Sequence, residues 1–424
     1  MTTILSHRII GLTGKCRVPG DKSISHRALM LGAMSVGETR IHGLLESDDI
    51  LATVSAITSL GAKVSRLEDQ IWQVFGCGIG GMAAPGDVID MGNSGTGVRL
   101  LMGLLAGQPI TAMLTGDASL RTRPMKRIMI PLSQMGVKFL AADDDMLPLT
   151  IKSPNELMPI IYEPPVASAQ IKSAILLAGL AAPGETTVLE NIATRDHTER
   201  MLQHFGAKIR IDDSFSGGKK ITVVGQSELT GRPLVVPADI SSAAFPIVAA
   251  LLAPKSEILI EAVGINPLRS GLLKTLVEMG ADITQRKKIE SKGEPVADIT
   301  VRASRLKGVQ IPADRAASMI DEYPILAMAA AVAEGPTRME GLAELRVKES
   351  DRLALIAGGL RGAGVEIEET ETSLVVHGTG KPPLGGNTIN SMNDHRIAMS
   401  FLVLGTVSDY PIRVTHAETI ATSF

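Results

Sequence analysis

The stretch SISHRALMLGAMSVGETRIHGL at residues 23–44 begins on a polar anchor, runs through small and apolar residues suited to a buried helix, and ends in a short strand. The same order returns five more times. The copies are SGTGVRLLMGLLAGQPITAMLTG at 94–116, SAQIKSAILLAGLAAPGETTVLEN at 168–191, SSAAFPIVAALLAPKSEILIEAV at 241–263, DEYPILAMAAAVAEGPTRMEGL at 321–342 and DHRIAMSFLVLGTVSDYPIRV at 394–414. Their starts lie roughly 70 to 80 residues apart, and a repeat of that period sets the architecture before any motif is considered. It also multiplies one physical device. The first turn of a helix carries N–H groups without intrahelical partners, and a Ser, Lys or Arg beside it draws anions. Six such ends converging on one cleft would suit a small, highly charged substrate.

After its strand, each of the first five copies continues into an amphipathic helix and then Gly-Ala or Gly-Val: Gly61-Ala62, Gly136-Val137, Gly206-Ala207, Gly280-Ala281 and Gly364-Val365. Ile50, Val54, Ile57 and Leu60 show the helical spacing, and the glycine reads as a left-handed residue just past the helix end. Strands are predicted at Glu38–Ile41, Ile110–Leu114, Thr186–Glu190, Glu257–Glu261, Thr337–Glu340 and Pro411–Thr415. The fold class is therefore α/β, with six β-α-β-α-β-β repeats, three to a domain and helices at the centre. Val18-Pro19-Gly20-Asp21-Lys22-Ser23 is echoed 218 residues later by Val236-Pro237-Ala238-Asp239-Ile240-Ser241, and proline interrupts regular structure at both places. Read as two crossings of the chain, the echo separates residues 20–235 from residues 1–19 plus 236–424, with the active site expected in the cleft between them. The sixth copy stops without its second helix. An uncovered apolar stripe there would cost several kcal/mol at about 25 cal/mol per Å². Either the natural chain runs on for roughly 15 to 25 residues, the length of the missing helix and strand, or Met1–Arg17 fills the place.

A chain of 424 residues is long for one core and fits two domains of about 200 residues. Hydrophobic residues make up 45% but aromatics only 3%, with Trp72 the single tryptophan. Cores must then be aliphatic and Met-filled, and few rings are left on which bases could stack. A net charge of −3 gives no polyanion-binding surface, so no nucleic-acid partner is expected. Cys16 and Cys77 have neither metal-binding nor redox spacing and fit a reducing cytoplasm. Apolar runs such as Ile247–Ala253 fall short of the roughly 18–20 residues of a membrane span. MTTILSHRII has no signal-peptide or transit-peptide character, so a cytoplasmic protein without membrane association is expected.

Gly20-Asp21-Lys22-Ser23-Ile24-Ser25-His26-Arg27 is the strongest local signal. Lys22, Ser23 and, one turn on, Arg27 can face one anion, although an ordinary capped helix with a solvated lysine would read the same. His26, alone on its helix, reads first as structural. The run Asp90–Arg99 (DMGNSGTGVR) matches neither G-x-G-x-x-G nor G-x-x-x-x-G-K-[ST], so dinucleotide and P-loop readings fail. A Gly-rich turn able to cradle a phosphate or carboxylate survives, beside the plainer reading of a tight structural turn. Arg121 and Arg123 flank a proline-fixed helix start, and one of the two is expected on the surface. Ser168, Gln170 and Lys172, with Arg195 to Arg200, add hydroxyl, amide and cationic groups. There is no H-E-x-x-H and no third ligand, so no metal site is expected. Arg346 to Arg352 could be a solvated charged face, yet Lys348, Glu349 and Arg352 follow a strand end. Asp321, opening the helix of that repeat, is available as a base. Asn393-Asp394-His395-Arg396 repeats the Ser-His-Arg order of the first copy.

GDKSISHRA, GNSGTGVRL, GDxSLxxRPM, SAQIKSA, RDHTERM, LRVKESDR and NDHRIAM span nearly the whole chain and together resemble the 5-enolpyruvylshikimate-3-phosphate synthase family. RDHTE and SAQxK are similar to its class II members. The resemblance implies an inside-out α/β barrel fold, the enolpyruvyl transferase fold, whose two three-unit domains close on substrate. It implies transfer of the enolpyruvyl group of phosphoenolpyruvate to the 5-hydroxyl of shikimate 3-phosphate by a monomer, with phosphate released and neither metal nor organic cofactor involved. This is a step of the shikimate pathway to chorismate and the aromatic amino acids. By position, Lys22, Ser23, Arg27, Ser168, Ala169, Gln170, Arg195, Asp321 and Lys348 match the shikimate-3-phosphate site. Lys22, Gly95, Arg123, Gln170, Glu349, Arg352, His395 and Arg396 match the phosphoenolpyruvate site. Glu349 is implied as the acid for C3 of phosphoenolpyruvate with Lys22 assisting, and Asp321 as the base for the 5-hydroxyl.

Two departures from the family pattern stand out. A lysine expected near the end of many members is absent from Ala421-Thr422-Ser423-Phe424, and Ala169 replaces a serine of the other class. The family is a glyphosate target, and tolerant members tend to carry alanine where this chain has Gly95. The same-fold transferase acting on UDP-N-acetylglucosamine normally has a reactive cysteine near Leu120–Arg123, and none is present. A nucleotide-using kinase or ATPase is disfavoured by loop spacing. A non-catalytic binding protein is disfavoured by paired acid and base candidates beside many cations.

Overall fold

The computed structural model describes residues 2–141, 145–213, 218–288, 293–422 and 424; Met1 and Ser423 lie outside the described residues. Six helices stand at the repeated anchors: Lys22–Met34, Gly95–Ala106, Ala169–Gly179, Ile240–Leu252, Tyr323–Val332 and His395–Gly405. These inner helices are buried on all sides instead of along one stripe; every residue from Ile24 to Met34 is buried in the first. A helix with no wet face needs small and aliphatic residues all round, which is the composition of the six copies.

Three of the helices start on a residue other than the expected anchor. Asp21 caps the first, its carboxylate accepting from the Ile24 N–H at 2.9 Å, and Asp239 caps the fourth through the Ser241 N–H at 2.9 Å. A carboxylate meets the positive helix end better than a hydroxyl does, so Ser23 and Ser241 fall inside the first turn. In the fifth, Glu322 occupies the cap, so Asp321 lies two residues ahead of Tyr323 instead of opening the helix.

Five amphipathic outer helices follow, at Asp48–Ser59, Lys126–Gln134, His197–His204, Gly271–Glu278 and Arg352–Gly362. The glycine after each has φ between +85° and +103°, so all five helices end as their sequence indicates.

The strands make one four-stranded sheet per repeat in the first five repeats. The third shows the pattern. Glu185–Glu190 pairs in parallel with Ile161–Tyr162 on one side and antiparallel with Lys219–Val224 on the other, and Ile209–Asp212 closes the edge. Two sheets borrow their entry strand from far along the chain: Leu234–Val235 beside Glu38–His42, and Thr13–Cys16 beside Glu257–Gly264. The sixth sheet has three strands, with Thr3–Ser6 antiparallel to Ile412–Thr415 and Thr388–Asn390 parallel to it. The N-terminal strand thus stands where the other sheets have their returning hairpin. A short 3-10 stretch, Ala417–Thr422, packs on the inner helix of that repeat.

The chain divides into two compact units. One comprises Gly20–Val236 with Ser291–Glu294, the other Met1–Pro19, Pro237–Glu290 and Pro295–Phe424. Each has its own aliphatic core. The grouping of 291–294 with the first unit departs from the 218-residue echo and has a local cause. The Glu294 carboxylate lies 2.6 Å from His197 Nδ1, and the Gly293 carbonyl accepts from Arg200 Nη1 at 3.2 Å. Among the described residues no helix is long and apolar enough to cross a membrane.

The second and third inner helices touch backbone to backbone at Gly103. A Cβ there would stand 2.5 Å from Ala174 Cα and 2.4 Å from its carbonyl oxygen. Gly103→Ala should therefore destabilise the protein by about 1–3 kcal/mol, the range for overpacking. Gly358, exposed in an outer helix with nothing within 4 Å of its missing Cβ, is the control. Gly358→Ala should stabilise by about 0.5–1 kcal/mol in the same urea titration. Two shifts of the same sign would contradict this account of the helix contact.

Candidate active site

Inner helices that are buried throughout tolerate a charged side chain only where fixed partners meet it. In the unit containing residues 20–236, Arg27 is such a case. Its Nε donates to Thr198 Oγ1 and its Nη2 to Ser173 Oγ, both at 2.7 Å, while Nη1 donates to the Ser23 carbonyl at 2.8 Å. Burial draws its pKa down to about 10 against the pull of Glu199 and Asp21. Arg195 lies close enough to Arg27 to act on it electrostatically. Lys22 forms an ion pair with Asp49, itself nearly buried. Lys22, Ser23 and Arg27 thus share one helix end, but Arg27 is held from the side by a neighbouring repeat.

His26 links two repeats. Its Nδ1 lies 2.8 Å from Thr53 Oγ1 and its Nε2 3.3 Å from Ser94 Oγ, the oxygen that caps the second inner helix by accepting from the Gly97 N–H. Burial above all, then Lys22 and Arg27, hold its pKa well below 6.5.

The Gly-rich turn is built around two guanidinium groups. Arg123 Nη2 donates to Asn93 Oδ1 at 2.7 Å and to Ser119 Oγ at 2.9 Å, while Asn93 Nδ2 donates to Asp117 Oδ2 at 2.7 Å. Arg99 reaches the Gly95 carbonyl, Gln170 Oε1 and the Pro124 carbonyl at 3.3, 3.4 and 3.1 Å. Gln170 Nε2 donates to Thr96 Oγ1 at 3.1 Å. A Cβ at Gly95 would stand 3.0 Å from Arg123 Nη1 and 3.2 Å from Arg99 Nη1. Gly95, Arg123 and Gln170 are therefore brought together, with Arg99 between them. Of the arginine pair, Arg121 is the exposed member. Ser168 caps the third inner helix, and the Ala169 carbonyl accepts from Ser173 Oγ at 2.6 Å within that helix.

In the other unit a single buried guanidinium organises the site. Arg352 opens its outer helix, and its Nε donates to Asp394 Oδ2 at 2.7 Å, Nη1 to Asp321 Oδ1 at 3.2 Å and Nη2 to Glu349 Oε2 at 2.5 Å. Burial alone would lower its pKa, but Asp394, Glu349 and Asp321 together hold it above its ordinary value. Lys348 Nζ lies 3.6 Å from the same Asp321 oxygen, and Arg396 Nη1 donates to the Asp321 carbonyl at 3.2 Å. Asp394 also caps the sixth inner helix through the Arg396 N–H at 2.9 Å, with His395, buried, as the first residue of that helix. Asp321, Lys348, Glu349, Arg352 and Arg396 thus form one cluster.

Sequence reasoning gave no site role to Arg99, Asp49, Asn93 and Asp394, although all except Asp49 lie inside the quoted motifs. For the charged ones the signal was present: a charge within an otherwise apolar inner helix, or an acid placed to meet one.

The neutral His26 gives a pH signature. An unfolded histidine titrates near about 6.5. Below that the unfolded chain takes up a proton that the folded chain refuses, so this contribution is complete above about pH 6.5 and shrinks as pH falls. The urea midpoint of the parent should drop more steeply between about pH 7 and pH 5 than that of His26→Asn. Parallel profiles would refute the buried neutral ring.

The sequence profile of the EPSP synthase (3-phosphoshikimate 1-carboxyvinyltransferase) family matches residues 8–424. The 3-phosphoshikimate 1-carboxyvinyltransferase of Paramagnetospirillum magneticum is 61% identical over 419 residues, 99% of this chain and 94% of that protein. The protein of the same name from Methylorubrum populi is 56% identical over 424 residues, again 99% and 94%. Among solved structures, EPSP synthase from Acinetobacter baumannii matches with a TM-score of 0.87 at 43% identity, covering 100% of this chain and 96% of that one. The enolpyruvyl transferase NikO from Streptomyces tendae matches with a TM-score of 0.75 at 19% identity, covering 100% and 95%, a likeness of fold alone. With a family profile matched almost end to end and relatives identical at more than half of all positions, the chain belongs to the EPSP synthase family.

Proposed function

We propose that the chain is a 3-phosphoshikimate 1-carboxyvinyltransferase, transferring the enolpyruvyl group of phosphoenolpyruvate to the 5-hydroxyl of shikimate 3-phosphate and releasing phosphate. The named relatives support the activity, and one geometric observation supports the assignment of roles. An acid candidate and a base candidate, Glu349 and Asp321, meet the same buried guanidinium of Arg352 at 2.5 and 3.2 Å. Shikimate 3-phosphate is taken by Lys22, Ser23, Arg27, Ser168, Ala169, Gln170, Arg195, Asp321 and Lys348. Phosphoenolpyruvate is taken by Lys22, Gly95, Arg123, Gln170, Glu349, Arg352, His395 and Arg396. A cytoplasmic setting fits the two free thiols, Cys16 and Cys77.

The chemistry follows from the ion pairs. Before substrate binds, Glu349 is an ionised partner of Arg352, a poor proton donor. The anionic groups of phosphoenolpyruvate compete for Arg352 and bring negative charge beside Glu349, which raises its proton affinity. Glu349 then gives a proton to C3, and C2 takes on carbocation character. The 5-hydroxyl oxygen bonds to C2 while its proton passes to Asp321. Return of a C3 proton to Glu349 re-forms the C2–C3 double bond as the C2–O bond to phosphate breaks, so phosphate leaves with the bonding pair. The surrounding Lys and Arg side chains offset the repulsion between two polyanions.

Phosphate release that requires both substrates is the direct test, and its absence in the purified protein would overturn the proposal. Within that assay, Glu349→Gln should lower turnover by roughly 10²- to 10⁴-fold with substrate affinity largely kept, the usual loss for an acid–base group. Turnover close to the parent's would remove Glu349 from the chemistry.

Glyphosate should compete with phosphoenolpyruvate. Gly95→Ala places a methyl against Arg123 and Arg99, both of which would have to yield by a few tenths of an ångström. Its inhibition constant should rise by about tenfold or more, the scale at which one extra methyl is read in a tight pocket. An unchanged constant would detach Gly95 from the inhibitor site.

A further inference from the structure

Lys172 has no assigned role in the reaction, yet it is the most completely buried lysine among the described residues and sits one position before Ser173, which holds Arg27. Its Nζ donates to Glu190 Oε2 at 2.9 Å, to Glu199 Oε1 at 2.7 Å and to the Thr194 carbonyl at 3.3 Å. Glu190 ends a strand and Glu199 lies in the first turn of the next outer helix. The ammonium therefore grips both ends and the middle of the connection 191–196, which carries Arg195. Thr194 Oγ1 bonds Glu190 as well. Just beyond, Thr198 Oγ1 accepts from Arg27 Nε and meets Ser173 Oγ, both at 2.7 Å.

These contacts join two motifs that are 23 residues apart in the third repeat at their closest. The lysine of SAQIK pairs with the glutamate of RDHTE, whose arginine lies within electrostatic reach of Arg27. An ordinary core ion pair would need one acid; here one lysine serves two carboxylates and a carbonyl. Burial alone would lower the Lys172 pKa, but Glu199 and Glu190 hold it above its ordinary value, while burial pushes Glu199 up.

We propose that Lys172 is a positioning residue for shikimate 3-phosphate: through the Glu190–Thr194–Glu199 knot it presents Arg195, and through Thr198 it steadies Arg27. The inference rests on the reading above that Arg27 and Arg195 take this substrate. Three contacts on one rigid ammonium fix the loop closely enough for its displacement to weaken binding without touching the donor substrate.

The test is steady-state kinetics with each substrate varied in turn, together with thermal melting of the same proteins. Lys172→Met should raise KM for shikimate 3-phosphate by about tenfold and KM for phosphoenolpyruvate by less than about twofold. The double variant Lys172→Met/Glu199→Gln returns the knot to its original net charge and should recover part of the lost Tm. Its KM for shikimate 3-phosphate should stay raised, because methionine cannot donate to Thr194; a purely structural lysine would give recovery of both. Glu199→Gln alone keeps the Lys172–Glu190 pair and decides the matter if the Lys172 variants do not fold, with an expected rise of about threefold confined to shikimate 3-phosphate. Equal rises for both substrates, or an unchanged KM in the variants that fold, would overturn the role of Lys172. Arg195→Gln separates this from the underlying reading. If it leaves KM for shikimate 3-phosphate unchanged, the assignment of Arg195 falls and the inference falls with it. If it raises that KM while the knot variants do not, Lys172 alone is refuted.

Discussion

A helix surrounded by protein on every side can meet a polar ligand only at its ends, and the rest of this molecule follows from having six of them. Their lengths are apolar because no face reaches water. Their first turns are polar because the N–H groups there still need partners. The outer helices and small sheets supply the remaining cover and can be ordinarily amphipathic. The same constraint that makes the core aliphatic thus collects the hydroxyls, amides and charges at the helix starts.

Several charges inside the scaffold meet opposite charges. Lys22 meets Asp49, Arg352 meets Asp394, Asp321 and Glu349, and Lys172 meets Glu190 and Glu199. For a chain of net charge −3 that handles polyanionic substrates, binding is then an exchange of partners. Under the proposed roles, an incoming phosphate would take over a cation already held in place by an acid. The cation would gain a partner without first being desolvated, and the displaced acid would change its proton affinity at the moment when a proton is needed. Cations without internal partners would repel one another and unfold the site.

Local grammar was readable in the sequence wherever a feature depends on near neighbours. The five helix-ending glycines, the capping Ser94 and Ser168 and the repeat strands are all of this kind. The helix starts at Asp21, Asp239 and Glu322 were displaced because several polar residues compete there, and electrostatics at the helix end decides among them. Pairings across repeats were not readable. Nothing in the sequence marks the partner across the separation of 171 positions from Arg27 to Thr198, or of 42 from Arg352 to Asp394. The motifs hold the candidate groups, because each helix start is local. The network that aims those groups is a product of packing, and period alone does not reveal it.

The strand Thr3–Ser6 closing on Ile412–Thr415 has a consequence for how the chain is made. Residues 20–236 contain everything their own sheets require, including the entry strand Leu234–Val235, and can complete a core while synthesis continues. The other unit must hold the strand Thr3–Ser6 in reserve until Ile412–Thr415 has left the ribosome, a loop closure of about 400 residues. Thr13–Cys16 waits less long, for Glu257–Gly264. The chain is therefore assembled from the middle outward, and its two earliest strands are among the last to find their neighbours.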